Sequence, residues 1–258
     1  MTFCKVYNII LILMKKLLSI VLCNNAGENL SVTNEEAEIL RLEADSAENN
    51  SKALYELIRQ TKGKYVVIVD TDCTINEEDF VNILTACDEA TADILSFAGG
   101  YALKAATLKG VAAKFYCDRF GAEIYTAFNS KEIVWVSFEP FKFNVQNAKY
   151  SLTDEGLLNE TLEEFKRSKA KLTKAVYTFI SDMLCARLIT FYVCAMTAIY
   201  RKETTADGLI EFDKKLKDNI VLYLAMEQRF PYADLKKLRE KNFKIGLLTY
   251  NKFKKLVK

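Results

Sequence analysis

Residues 63–97 read GKYVVIVDTDCTINEEDFVNILTACDEATADILSF, and this stretch decides how the rest of the chain is read. Tyr65 to Val69 is a short apolar run rich in β-branched residues, which predicts a buried strand. It stops at Asp70-Thr71-Asp72. Side chains two apart on extended backbone point the same way, so both carboxylates reach one point just past the strand's C-terminal end. In open α/β sheets that edge is where ligands bind. A helix start follows, with Asn76 as its cap and Glu77, Glu78 and Asp79 at the positive end of its dipole. Phe80, Ile83, Leu84 and Cys87 form its apolar stripe. Ala92 to Phe97 then predicts another strand.

Strand, acidic pair, helix and strand in one register resemble the family 2 glycosyltransferases of the GT-A fold. There a Gly-[Glu/Lys]-Tyr lead, four apolar residues, an Asp-x-Asp and a closing Ala-Asp-Ile strand recur. Here these are Gly63-Lys64-Tyr65, Val66 to Val69, Asp70-Thr71-Asp72 and Ala92-Asp93-Ile94. The likeness extends over roughly 60 residues. It implies an α/β fold, GT-A-like, with a mixed, mainly parallel sheet flanked by helices. It further implies a nucleotide-diphospho-sugar donor and an Mg²⁺ or Mn²⁺ ion held by Asp70 and Asp72. By the same likeness, Leu17 to Leu22 is the first strand, and Cys23 stands where the family has Pro. Asn25 is then the equivalent of the family's nucleotide-contacting Asn.

The next segment aligns in two ways. Glu43 to Asn50, with Glu43 and Asp45, stands for the acids that hold base and ribose. Alternatively, Ser51 to Tyr55, with Lys52, stands for a later helix start. The span before Asp70 is too short for both, so the nucleotide-binding half is expected to be abbreviated. The family's catalytic base sits in a Glu-Asp pair, which is matched here only by Asp154-Glu155 in reversed order.

Composition narrows the chemistry. The 258 residues carry a net charge of +2 and no histidine. That balance does not suit a bulk nucleic-acid binder, and it leaves carboxylates as the acid–base groups. Cys4, Cys23, Cys73, Cys87, Cys117, Cys185 and Cys194 form no C-x-x-C pair, which suggests reduced thiols. Lys15-Lys16 interrupts the apolar residues 8–23 before they could span a bilayer, and Met14 fits a start with residues 1–13 as an extension. The apolar run Ala175 to Tyr200 contains Asp182 and Arg187 and is read as buried helix.

Along the chain, Glu38 to Leu42 is expected as a strand and Ser51 to Gln60 as a helix closed by Gly63. Gly99-Gly100-Tyr101 is read as a turn, and residues 101–119 as helical. Ala122 to Phe128 and Glu132 to Phe138 are read as a hairpin about Asn129-Ser130-Lys131, with Trp135 and Phe138 as core aromatics or sugar-stacking ones. Long helices are expected over 157–167, 172–202 and 207–229, and a lysine-rich end from Lys236 to Lys258. The domain plan is therefore an extension (1–13), a GT-A-like domain (14–150) and a helical region (151–258).

The expected function is sugar transfer to a glycan or lipid-linked acceptor in cell-surface polysaccharide or glycolipid synthesis. The expected location is the cytoplasm, with the basic end touching the anionic inner face of the membrane. Two alternatives remain. Val67 to Ile75 also resembles the first motif of haloacid-dehalogenase-type phosphatases, in which Asp70 would be the nucleophile. The third reading is a degenerate glycosyltransferase-like domain that binds without turnover.

Overall fold

Two apolar pentapeptides, LSIVL and YVVIV, lie side by side near the middle of a six-stranded sheet, and every one of their ten side chains is buried. Burial on both faces explains why neither alternates polar with apolar. The computed structural model describes residues 16–23, 34–42, 47–70, 73–75, 79–98, 100–111, 119–138, 140–143 and 155–184, for some of them the backbone alone. The chain divides into two compact units, Met1–Ala148 and Lys149–Lys258.

The first unit begins with strands β1 (Leu18–Leu22) and β2 (Ala37–Arg41), helix α1 (Ala47–Gln60) and strand β3 (Tyr65–Val69). After β4 (Cys73–Ile75) come helix α2 (Phe80–Glu89) and strands β5 (Ile94–Phe97) and β6 (Gly100–Lys104). Helices α3 (Ala105–Val111) and α4 (Arg119–Phe128) lead to β7 (Ile133–Trp135) and β8 (Phe141–Phe143). The large sheet has the order β2-β1-β3-β6-β5-β7, and β4 pairs with β8 in a separate two-stranded sheet. The pairs β1–β2, β1–β3 and β5–β7 are parallel, while β6 runs antiparallel to β3 and β5. The sheet is thus mixed, with every strand except β6 pointing to one edge.

One face of this sheet buries Leu18, Ile20, Leu22, Tyr65, Val67, Val69, Leu95 and Ala102 against Phe80, Ile83, Leu84 and Cys87 of α2. Alternation sends Val21, Val66, Ile68 and Leu103 to the opposite face. Helices α3 and α4 cover β6 there, and α1 packs beside α3. In the second unit α5 (Glu155–Ser168) and a helical stretch over 174–184 bury Leu162, Phe165, Val176, Phe179 and Ile180.

The structure corrects several expectations. Residues 119–128 form a helix and not a strand. The sequence there, RFGAEIYTAF, is apolar at both spacings, so its period does not choose. Topology does: β7 lies parallel to β5, and a parallel return requires a crossover rather than a tight hairpin. Asn129 and Ser130, expected at a hairpin turn, instead close α4 by bonding back to the carbonyls of Tyr125 and Thr126. Residues 100–104 are a strand before the expected helix begins. Helix α2 starts at Phe80, with Asp79 at its N-cap making no side-chain cap bond and no acid in its first turn. The expected cap Asn76 lies outside the described residues, as do the extension 1–13, the 207–229 helix and the lysine-rich end.

Candidate functional site

Parallel register brings three chain ends to one place. Leu22 pairs with Val69 and with Arg41, so β1, β3 and β2 finish level with one another. Two backbone bonds carry the alignment one residue further: Cys23 N–H donates to the Val69 carbonyl at 2.8 Å, and Leu42 N–H to the Leu22 carbonyl at 2.8 Å. Cys23 and Leu42 are buried, and Asp70 is half-buried at the rim. Three strand ends therefore lie together at the C-terminal edge of the sheet, the position at which open α/β sheets bind ligands.

The acidic stretch also bridges two sheets. Residues 70–72 separate β3, in the large sheet, from β4, in the small one. The small sheet is held by an aromatic wedge. Phe141 of β8 pairs with Ile75 of β4, is 1% exposed, and rests edge-on to Phe97 at 5.6 Å. Phe138 meets the same Phe97 at 5.3 Å, so of the two aromatics considered for sugar stacking it is a core residue. Trp135 differs: it is 53% exposed. Gly100 makes the wedge possible, because a Cβ there would lie 2.7 Å from the Phe141 ring. Its role is close approach of a side chain, at the position where Gly100 pairs with Phe97. The anchoring of β4 by Phe141 was invisible in the sequence beyond the alternation Phe-Lys-Phe at 141–143, too short to stand out.

Of the residues expected at the site, Cys23 and Asp70 come together at this edge. Lys52 lies in α1, and Glu155 begins α5 of the second unit, each placed by its backbone. Asn25, Glu43, Asp45, Asp72 and Asp154 lie outside the described residues, the first three in the sequence that follows β1 and β2. Among the described residues no three histidine, cysteine or acidic side chains gather as a metal cluster, and no helix is long and apolar enough to cross a membrane.

The opposite edge of the sheet is polar for structural reasons. Ser19 Oγ donates to Glu38 Oε1 at 2.5 Å and accepts the Gly63 N–H at 2.8 Å, while Glu38 also accepts the Lys62 N–H. Lys64 Nζ donates to the carbonyls of Cys87 and Asp88, both at 2.8 Å, at the negative end of α2. Asp93 accepts from Thr107 Oγ1 at 2.9 Å and from the Lys131 N–H at 2.8 Å. Burial alone would raise the Asp93 carboxyl. The N–H groups of Lys131 and Glu132, the Thr107 hydroxyl and the Lys104 ammonium outweigh it and hold the group below its ordinary range. Burial pushes the Tyr65 hydroxyl and the Cys87 thiol each up to about 12, so the first is a donor, to the Ala92 carbonyl at 2.6 Å, and the second is inert.

No family model matches the chain, and no curated protein does. Among solved structures it is similar to residues 1–349 of TarS from S. aureus, a glycosyltransferase. The TM-score is 0.53 at 13% identity, covering 93% of this chain and 92% of that one. The same TarS fragment in complex with UDP also scores 0.53, and in complex with UDP-GlcNAc 0.50, each at 13% identity and the same coverage. At that identity the likeness carries the fold, and the fold of this chain is a mixed α/β, GT-A-like one.

Proposed function

We propose that this chain is a glycosyltransferase that takes its sugar from a nucleoside-diphosphate sugar and delivers it to a hydroxyl of a glycan or lipid-linked acceptor. The observation that carries the reading is the convergence of the β1, β2 and β3 ends at Cys23, Leu42 and Asp70, within a GT-A-like sheet. The similarity to TarS structures that contain UDP and UDP-GlcNAc supports it.

In this reading the loops after β1 and β2, with Asn25, Glu43 and Asp45, hold the nucleoside, and Asp70 and Asp72 face its diphosphate. Carboxylates suit Mg²⁺ or Mn²⁺, which proteins often bind through one or two carboxylates plus phosphate oxygens. Asp70 at the strand end fits that mode. When bound, such an ion neutralises charge on the departing nucleoside diphosphate. Asp154 or Glu155 is proposed as the base for the acceptor hydroxyl, and the lysine-rich end as an attachment to anionic membrane.

Calorimetry with UDP-GlcNAc, UDP-glucose and GDP-mannose, with and without Mn²⁺, tests the assignment. Metal-dependent binding is expected, reduced at least tenfold by Asp70→Asn or Asp72→Asn. Hydrolysis of an aryl phosphate in Mg²⁺ that vanishes with Asp70→Asn would establish the phosphatase reading instead. Binding without sugar transfer would establish the degenerate one.

A further inference from the structure

A second group of side chains lies along the same sheet edge. Ser96 of β5 pairs with Tyr101 of β6 on one side and with Trp135 of β7 on the other. Their strand neighbours Leu95, Phe97, Ala102 and Val136 belong to the core on the α2 face. Alternation therefore puts Tyr101, Ser96 and Trp135 in one row on the opposite face. Val67 and Val69 also belong to the α2 face, so Ile68 points to the face of the row and the same alternation carried one step past β3 takes Asp70 there too. Continuing the β3–β6 register sets Tyr101 beside Ile68, two residues short of Asp70. At about 4.8 Å between strands, the row extends about 10 Å from Tyr101 to Trp135. Tyr101 and Ser96 are half-buried, and Trp135 is 53% exposed on the last strand of the sheet.

We propose that Tyr101, Ser96 and Trp135 form a platform for an uncharged saccharide acceptor, an assignment that rests on the glycosyltransferase reading. Pyranose rings have flat C–H faces that pack on aromatic rings, and their edges carry hydroxyls. Two aromatics with a hydroxyl between them match that alternation of apolar face and polar edge. None of the three is charged, so the row offers nothing to select an anionic polymer. Its position continues the candidate donor site rather than forming a separate one. A chain laid along it would approach Asp70 from the β7 side.

Trp135 is the single tryptophan of the chain, so its fluorescence reports the platform without any activity being needed. The full-length protein, with UDP and Mn²⁺ present, is titrated with chitohexaose and with maltohexaose. A saturable change in emission is expected with at least one of them. Tyr101→Ala should weaken that affinity about tenfold and Ser96→Ala about threefold. Followed by calorimetry, Trp135→Ala should weaken it about tenfold and Trp135→Phe should restore most of it. Affinity for UDP-GlcNAc should stay within twofold in every variant, which separates this platform from a general loss of fold.

If UDP-GlcNAc binds but neither oligosaccharide moves the emission, the platform is wrong and the donor reading stands. If the oligosaccharides bind through Trp135 but no nucleotide sugar does, the platform stands as a carbohydrate site and the glycosyltransferase reading falls. If sedimentation shows a dimer that Trp135→Ala converts to monomer, the row is a contact between copies and the proposal is overturned.

Discussion

The two edges of the large sheet use polar residues in opposite ways. At the edge where β1, β3 and β5 begin, side chains bond to backbone and to one another: Ser19 with Glu38 and Gly63, Lys64 with the end of α2, Lys104 with the Thr91 carbonyl, and Asp93 with Thr107 and Lys131. Each bond joins elements distant in sequence. At the edge where these strands end, backbone register and an aromatic wedge hold the structure, while Asp70, Ser96, Tyr101 and Trp135 stand at the rim. The two edges therefore differ in what holds them, side-chain bonds at one and backbone register with an aromatic wedge at the other. Substitutions at the beginning edge should cost stability, and those at the ending edge should cost binding.

The largest effect is expected at Gly63. A Cβ there would meet the Ser19 nitrogen at 2.5 Å and the Leu18 carbonyl carbon at 2.6 Å, backbone atoms that cannot move without shifting β1. Gly63→Ala should destabilise the protein by about 3 kcal/mol in urea titration. A cost under about 1 kcal/mol would break the idea that β1 is clamped at its beginning.

Gly100→Ala comes next, at about 1–3 kcal/mol, since its Cβ would strike a ring and not backbone. Pairing it with Phe141→Leu should recover part of the loss, because the two changes share one contact. Additive costs would mean that the wedge is not what limits this position.

Asp93 sharpens the comparison through pH. Its folded carboxyl lies below the ordinary value of 3.8, so its stabilisation is fully present above that value and is lost as pH falls through the lower folded value. Asp93→Asn should cost about 1–3 kcal/mol at pH 7, because an amide oxygen accepts the Lys131 and Glu132 N–H groups without the charge and leaves Lys104 without its counter-ion. The gap between the two proteins should close in acid. A gap that stays constant from pH 7 to about pH 2 would show that the charge plays no part.

Which parts of this arrangement could be read from the residues follows from how local each signal is. Strands β1 and β3 were legible because both are unbroken β-branched runs, and Asp70 because it ends one of them. The strand pair β4–β8 was not, since three residues give periodicity nothing to work on. Residues 122–128 misled because Ala122, Ile124 and Ala127 fit a helix face while the same run also fits alternation, and only the parallel β5–β7 pairing decides. The row at Tyr101, Ser96 and Trp135 is a product of register across three strands, a long-range fact no single segment contains. Cys23 and Asp70 end neighbouring strands, aligned through a backbone bond between Cys23 and Val69, which side-chain identity does not encode.

The smallest stability effect is expected at Asp70, and the contrast with Asp93 makes it the sharpest test. Both are aspartates flanking strands of one sheet, and each is half-buried. Asp93 lies just before β5 and is bound to α3 and to the lead into β7. Asp70 lies just after β3, where the chain crosses from one sheet to the other. An amide at Asp70 keeps the shape and removes the charge, so Asp70→Asn should cost less unfolding free energy than Asp93→Asn. It should nonetheless weaken nucleotide-sugar binding by a factor of about ten or more. Equal destabilisation at Asp70 and Asp93 would mean that the ending edge is as structural as the beginning one. Residues committed to a ligand contribute little to folding, and a carboxylate whose removal spares the fold and abolishes binding identifies the edge of the sheet that evolved to hold one.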